Sequence, residues 1–89
     1  MKSILTEDFI KCFRKLPVEI QHLARKNYQL WKSNPNHPSL EFKKVHRIKS
    51  VYSVRIGIGW RVLGNKQKDF ILWFWIGLHE DYTKIIKRL

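Results

Sequence analysis

The sequence predicts an α+β fold: an N-terminal helical hairpin packed on one face of an antiparallel sheet of three or four strands. Three observations carry this. Apolar residues recur at helical spacing through the first third of the chain. After Leu40 the pattern changes to two-residue alternation. The run "FILWFWIGL" is then apolar on both faces, as a central strand requires. At 89 residues the chain is one domain, spanning 1–89. Chains this short bury only around 60–65% of the surface exposed when unfolded, so the core is small.

The elements follow in order. "KSIL" is a candidate short edge strand. Thr6, followed by Glu7 and Asp8, reads as a helix start, with a hydroxyl cap and acids facing the positive end of the dipole. Phe9, Cys12, Phe13 and Leu16 form the first apolar stripe. Pro17 stops this helix and suits the start of the next. Ile20, Leu23, Ala24, Tyr28 and Trp31 form the second stripe, and "SNPNHPSL" ends it. "EFKKVHRI" reads as a polar strand. In "VYSVRIGI", Tyr52, Val54 and Ile56 face one way and Ser53 and Arg55 the other. "WRVLG" is the next strand, "NKQKD" a turn, and "DFILWFWIG" the last strand. "HEDYTKIIKRL" closes the chain as a short helical or irregular tail. Gly57 and Gly59 shape a hairpin turn or bulge; they lack the helix and Lys–Ser/Thr of a phosphate loop.

Charge is the strongest compositional fact. Eighteen Lys and Arg oppose seven Asp and Glu, a net +11. From Phe42 to Lys68 there are eight Lys or Arg and no acid. Such a field favours polyanions over a merely solvated surface. Cys12 is the lone cysteine, which excludes an intrachain disulfide and a cysteine zinc site and suits a reducing cytoplasm. The four histidines lack metal-ligand spacing, so no metal or other cofactor is expected. Glu7 and Asp8 interrupt any signal-peptide core. "FILWFWIGL" is about half a membrane span, so no membrane partner is expected.

Two helices cover only one face of a sheet. Arg55 alternates away from the core set and therefore points across the uncovered face, and Arg61 reaches that face from the adjacent strand. No acid lies close in sequence to hold either in an ion pair.

The ordered segments "LP-x-x-I", "W-x-x-NP-x-x-PSL-x-F-K", "YSVRIG-x-x-WRVLG" and "WIG-x-H-x-x-Y", running from about Phe9 to Leu89, resemble the RelE/ParE superfamily of type II toxin–antitoxin toxins. The resemblance implies a RelE-like α+β toxin inhibited by a co-expressed antitoxin. RelE-like members cut mRNA in the ribosomal A site. ParE-like members poison DNA gyrase without the nuclease residues. Arg55 matches a basic residue on the third strand of the nuclease branch, and Arg61 the arginine of the following strand. His79 falls where the family has a basic residue or histidine after the last strand, and Tyr82 matches a tyrosine that orients or activates substrate. Many RelE-type chains have lysine two residues before the Arg55 position. Here it is Ser53, which leaves the general base unassigned.

The residue chemistry suits 2′-hydroxyl attack, which needs a base, a phosphate clamp and an acid, and no metal. Arg55 and Arg61 qualify as planar, permanently charged clamps. His79 and His46 are the candidate proton carriers. Tyr82 could stack on a base or donate a hydrogen bond. Trp73 and Trp75, two apart on one strand, would share a face: either core, or a stacking platform for bases. Lys43, Lys44, Arg47 and Lys49, with His46, form the expected RNA-binding stretch. His22 and His37 read as solvated. The leading expectation is a ribosome-dependent mRNA endonuclease with ribosome, mRNA and an acidic antitoxin as partners. A gyrase-binding toxin and a degenerate RNA-binding module are the alternatives.

Overall fold

In the computed structural model, which describes residues 1–89, the chain opens with β1 (Lys2–Leu5), α1 (Glu7–Arg14) and α2 (Val18–Ser33). A 3₁₀ turn at Pro38–Leu40 precedes β2 (Lys43–Lys44), β3 (Val51–Ile56), β4 (Trp60–Lys66), β5 (Phe70–Leu78) and α3 (His79–Arg88). The sheet has five strands in the order β1-β5-β4-β3-β2. It is mixed: β1 pairs parallel with β5, and the other neighbours are antiparallel. "KSIL" thus does form an edge strand, and the expected antiparallel sheet gains a parallel member.

Local signals set the helix boundaries. The Thr6 hydroxyl accepts the Phe9 N–H at 3.2 Å and donates to the Trp73 carbonyl at 2.8 Å. One side chain therefore caps α1 and ties its start to β5. Pro17 stands at the N-cap of α2, its carbonyl accepting the N–H groups of Ile20 and Gln21. The Ser3 hydroxyl accepts from Tyr28 Oη and Trp73 Nε1, both at 2.8 Å, joining β1, α2 and β5. The core between hairpin and sheet includes Phe9, Ala24, Trp31, Leu40, Val54, Ile56, Val62, Ile71, Trp73 and Ile76. Within it Trp31 meets Trp73 edge-on, ring centroids 5.1 Å apart.

A bulge in β5 changes the expected geometry. Leu63 pairs with Trp75 and Gly64 with Trp73, so Phe74 has no partner. The bulge shifts side-chain parity: Ile71, Trp73 and Ile76 all enter the core, and Trp75 falls on the opposite face with Leu63. Trp73 and Trp75 therefore do not share a face, and no two-tryptophan platform exists. Trp73 is 3% exposed and is a core residue, not an RNA contact.

That second face is not bare. Val51, Ser53 and Leu63 are buried, yet none belongs to the hairpin-side core. The half-buried Tyr82, Ile85 and Ile86 of α3 also pack outside that core, and α3 lies against β4 and β5. The C-terminal segment is thus a helix that covers part of the face expected to be open. A strand apolar on both sides needs cover on both. The polar strand expected over "EFKKVHRI" shrinks to Lys43–Lys44, because the following residues are drawn into a side-chain-capped loop.

The bulge makes Gly64 indispensable. A Cβ there would lie 2.6 Å from Trp73 Cε3 and 2.8 Å from Ile71 Cδ1. Gly64→Ala should cost about 1–3 kcal/mol through overpacking. Because 1 kcal/mol shifts the midpoint of a domain this size by roughly 4–8 °C, thermal melts should read it plainly. An unchanged melting temperature would contradict the described bulge.

A cationic candidate site on the second face of the sheet

Register brings the two predicted arginines together. Arg55 on β3 stands directly opposite Arg61 on β4, and Arg61 directly opposite Gly77 on β5. Directly opposed residues share a face, so both guanidinium groups rise from the second face. Like charges so placed disfavour the pair by a few tenths to 1 kcal/mol. Other groups hold Arg55 in place. Its Nε donates to the Gly57 carbonyl at 2.8 Å and its Nη1 to Glu41 Oε2 at 2.9 Å. The ion pair is partly exposed, at 39% and 43% for the two side chains.

Glu41 was not among the expected site residues, and the expectation that Arg55 had no acidic partner is corrected. The acid lies fourteen positions upstream. A left-handed backbone at Glu41 (φ 44°), the one non-glycine positive φ in the chain, turns it into place after the 3₁₀ turn. The Arg55 hydrogen bond holds its carboxyl below the ordinary value of 4.5, aided by the fields of Arg55, Lys43 and Arg61, with desolvation opposing. Glu41 is therefore ionised at neutral pH and is a weak proton acceptor. A lone acid at the edge of a long basic stretch was the available signal.

Arg61 has no acidic partner; its Nη1 donates to the Trp60 carbonyl at 2.9 Å. With Ile58, Gly59, Leu78, His79 and Glu80 it lines a shallow depression at the end of the sheet. His79 is exposed at the first turn of α3, whose start is fixed by the His79 N–H bonding the Gly59 carbonyl at 2.8 Å. The Tyr82 ring lies 5.4 Å from the His79 ring, tilted by 32°. Beside Arg61, the half-buried Trp75 indole lies over Gly77: a Cβ at Gly77 would meet Trp75 Cζ2 at 2.5 Å. Arg55, Arg61, His79, Tyr82 and Trp75 thus gather at the Gly57–Gly59 end of the sheet. Ser53 is buried, 2% exposed.

Of the other expected RNA-binding residues, Lys43 lies near this cluster, its field reaching Glu41, and the rest lie apart from it. Lys43 pairs with Ser53 on the same face, and Lys44 with Tyr52. Arg47 and Lys49 are exposed on the loop before β3. Val51 and Arg55 are separated by roughly 13 Å at 3.3 Å per strand residue. His46 lies in the same loop, where its Nδ1 accepts the backbone N–H groups of Ile48 and Lys49 at 3.1 and 2.8 Å. His37 likewise accepts the Ser39 N–H, at an exposed site. No cluster of three His, Cys, Asp or Glu side chains exists, and no helix is long and apolar enough to cross a membrane.

Chemically the cluster offers two guanidinium groups, one imidazole, one phenol and two carboxyl groups, those of Glu41 and Glu80. Its electrostatics predict a pH signature. A depressed carboxyl stabilises the fold above its ordinary titration range and loses that contribution as pH falls through its folded-state value. Wild type should therefore melt above Glu41→Gln at about pH 6, with the gap narrowing as pH falls below the ordinary carboxyl value of 4.5. A gap independent of pH would show that the Glu41 charge does not interact with its neighbours.

Residues 18–84 match the model of the ParE-like toxin domain. No curated protein sequence matches the chain. Solved structures share the fold at low identity. The toxin in the RelB–RelE antitoxin–toxin complex of Methanococcus jannaschii aligns with a TM-score of 0.74 at 14% identity, covering 92% of this chain and 96% of that one. YafQ from E. coli gives 0.71 at 10% identity, covering 91% and 96%. A mutant E. coli toxin RelE in the free state gives 0.67 at 17% identity, covering 99% and 96%. The domain match over most of the chain, on the fold described, places the protein in the ParE-like toxin domain family.

Proposed function

We propose that this toxin is a metal-independent endoribonuclease that cuts mRNA on the ribosome, acting in the cytoplasm and restrained by an acidic antitoxin. The observation that carries the reading is the shared depression of Arg61 and His79, with Arg55 directly across from Arg61. A clamp and a proton carrier meet there on a strongly cationic face. Arg55 and Arg61 hold the scissile phosphate as fixed, bidentate donors. His79, the one imidazole at this end of the sheet, carries the proton, and Tyr82 orders its ring or stacks on a base. The toxins of the M. jannaschii and Pyrococcus horikoshii RelB–RelE complexes are solved with antitoxins bound. An antitoxin acidic in its toxin-binding segment complements the +11 of this chain, with fast, salt-sensitive association.

The ParE-like character of the matching domain favours a second reading, a toxin that binds DNA gyrase without chemistry. An imidazole–phenol pair beside two arginines serves a nuclease and is superfluous to such a binder.

Arg61 separates the two. The transition state of 2′-hydroxyl attack gathers charge on the phosphate oxygens, and a fixed guanidinium stabilises that charge more than the ground state. Arg61→Ala should retain the wild-type fold and lower single-turnover cleavage on programmed ribosomes by roughly two to three orders of magnitude. Lys should rescue only partly, keeping the charge and losing the fork. A folded Arg61→Ala protein cutting at the wild-type rate removes Arg61 from the site. A wild type that never cuts but blocks gyrase supercoiling selects the second reading.

A further inference from the structure

The connection from β2 to β3 is built rigidly for a surface loop. His46 Nδ1 accepts two backbone N–H groups from inside it, those of Ile48 and Lys49. Its ends are closed by the Val45 N–H to the Val51 carbonyl at 2.9 Å and by the Ser50 hydroxyl to the Lys66 carbonyl at 2.7 Å. This fastened loop holds Ile48 outward, 78% exposed, between the exposed cations Arg47 and Lys49. Lys44 is exposed at the end of β2. A mobile loop could fold an isoleucine against the protein; this one is held away from it.

We infer that the His46-capped loop is a second RNA contact, which grips helical RNA through its backbone while the arginine cluster handles the strand to be cut. Arg47 and Lys49 meet phosphates, and Ile48 rests on the ribose faces of the wide, shallow minor groove. The inference rests on the reading that the protein acts on RNA at the ribosome. Two features select this partner. Lysine is depleted in protein–protein interfaces, whereas nucleic-acid interfaces are strongly cationic. Single-strand recognition stacks bases chiefly on aromatic rings, and Arg47–Lys49 presents no aromatic ring. The distance along β3 separates the loop from the arginine cluster, so it anchors rather than cuts.

The test is fluorescence anisotropy with a labelled hairpin RNA carrying a stem of about 16 base pairs. A single-stranded RNA of equal length is the control, and Arg61→Ala protein is used throughout to prevent cutting. The double variant Arg47→Ala/Lys49→Ala should weaken hairpin binding about tenfold and lower the salt slope by about 1–2. His46→Ala should weaken it several-fold with the slope unchanged, whereas His46→Asn, whose amide oxygen can accept the same N–H groups, should restore it. Ile48→Ser should weaken hairpin binding without changing the slope. Single-strand binding should move little in any of these. Hairpin binding indifferent to Arg47 and Lys49, or equal losses on both RNAs, overturns the inference. Loop-dependent binding of a poly-glutamate peptide without loop-dependent hairpin binding reassigns the loop to an acidic protein. In ribosomal cleavage by the Arg61 form, the loop variants should raise KM and leave kcat in place. If the wild type cuts nothing while hairpin binding depends on the loop, the cleavage reading falls and the loop contact stands.

Discussion

The two-sided apolarity of β5 is the constraint on which the rest of the molecule depends. Nine residues, "FILWFWIGL", offer no polar face, so each side must be covered by something else in an 89-residue chain. The helical hairpin covers one side and α3 part of the other. β1 pairs along the β5 edge, with Leu5 opposite Trp73, so that β5 becomes interior. The bulge at Phe74 resolves the conflict between strand parity and core volume. It sends Ile71, Trp73 and Ile76 inward and frees Trp75 for the second face. Without that extra residue Ile76 and Trp75 would exchange sides. An indole would enter a filled core, and the place beside Arg61 would hold an aliphatic chain.

The electrostatic arrangement is built on this scaffold and works against it. Two guanidinium groups directly across adjacent strands repel, and Lys43 adds to the same field. One carboxylate, Glu41, offsets Arg55 through a partly exposed ion pair of the kind that stabilises a fold weakly. Arg61 has no ion pair of its own, and only the more distant field of Glu41 reaches it. A small domain of modest stability gains nothing in folding from an unpaired cation beside another one, so the arrangement is better explained by an anion that visits than by the fold itself. Glu41 and a bound phosphate would compete for the same Arg55 fork, which makes the ion pair a resting state of the clamp.

What was legible in the sequence was what is decided locally. Thr6, Pro17 and the stripe from Ile20 to Trp31 carry their own start, stop and facing signals, and the structure follows them. Arg55 and Arg61 were placed on one face by alternation alone, since the hairpin turn at Gly57 fixes their register. Features decided at a distance were not legible. The Glu41 partner of Arg55 depends on a left-handed residue after a 3₁₀ turn, which spacing does not reveal. Trp73 and Trp75 obey alternation until a bulge sets it aside, and no residue in that run announces the bulge. His46 falls within "EFKKVHRI", which reads as a polar strand. Its ring instead replaces the sheet as the partner of two backbone N–H groups, and the strand stops there.

The groups of the candidate site also differ in how firmly they are held. Arg55 and Arg61 ride on paired strands, and Arg55 is fixed further by two side-chain bonds. His79 and Tyr82 ride on α3, a ten-residue helix with no buried residue. Helices of that length are marginal without tertiary support. Support at the α3 start comes from the Gly59 carbonyl and from the half-buried side chains facing β4 and β5. The two arginines are therefore preorganised, whereas His79 is tethered chiefly by the first turn of a weakly packed helix. The imidazole and the arginines thus belong to regions of unequal stability, one on an exposed terminal helix and the other on paired strands.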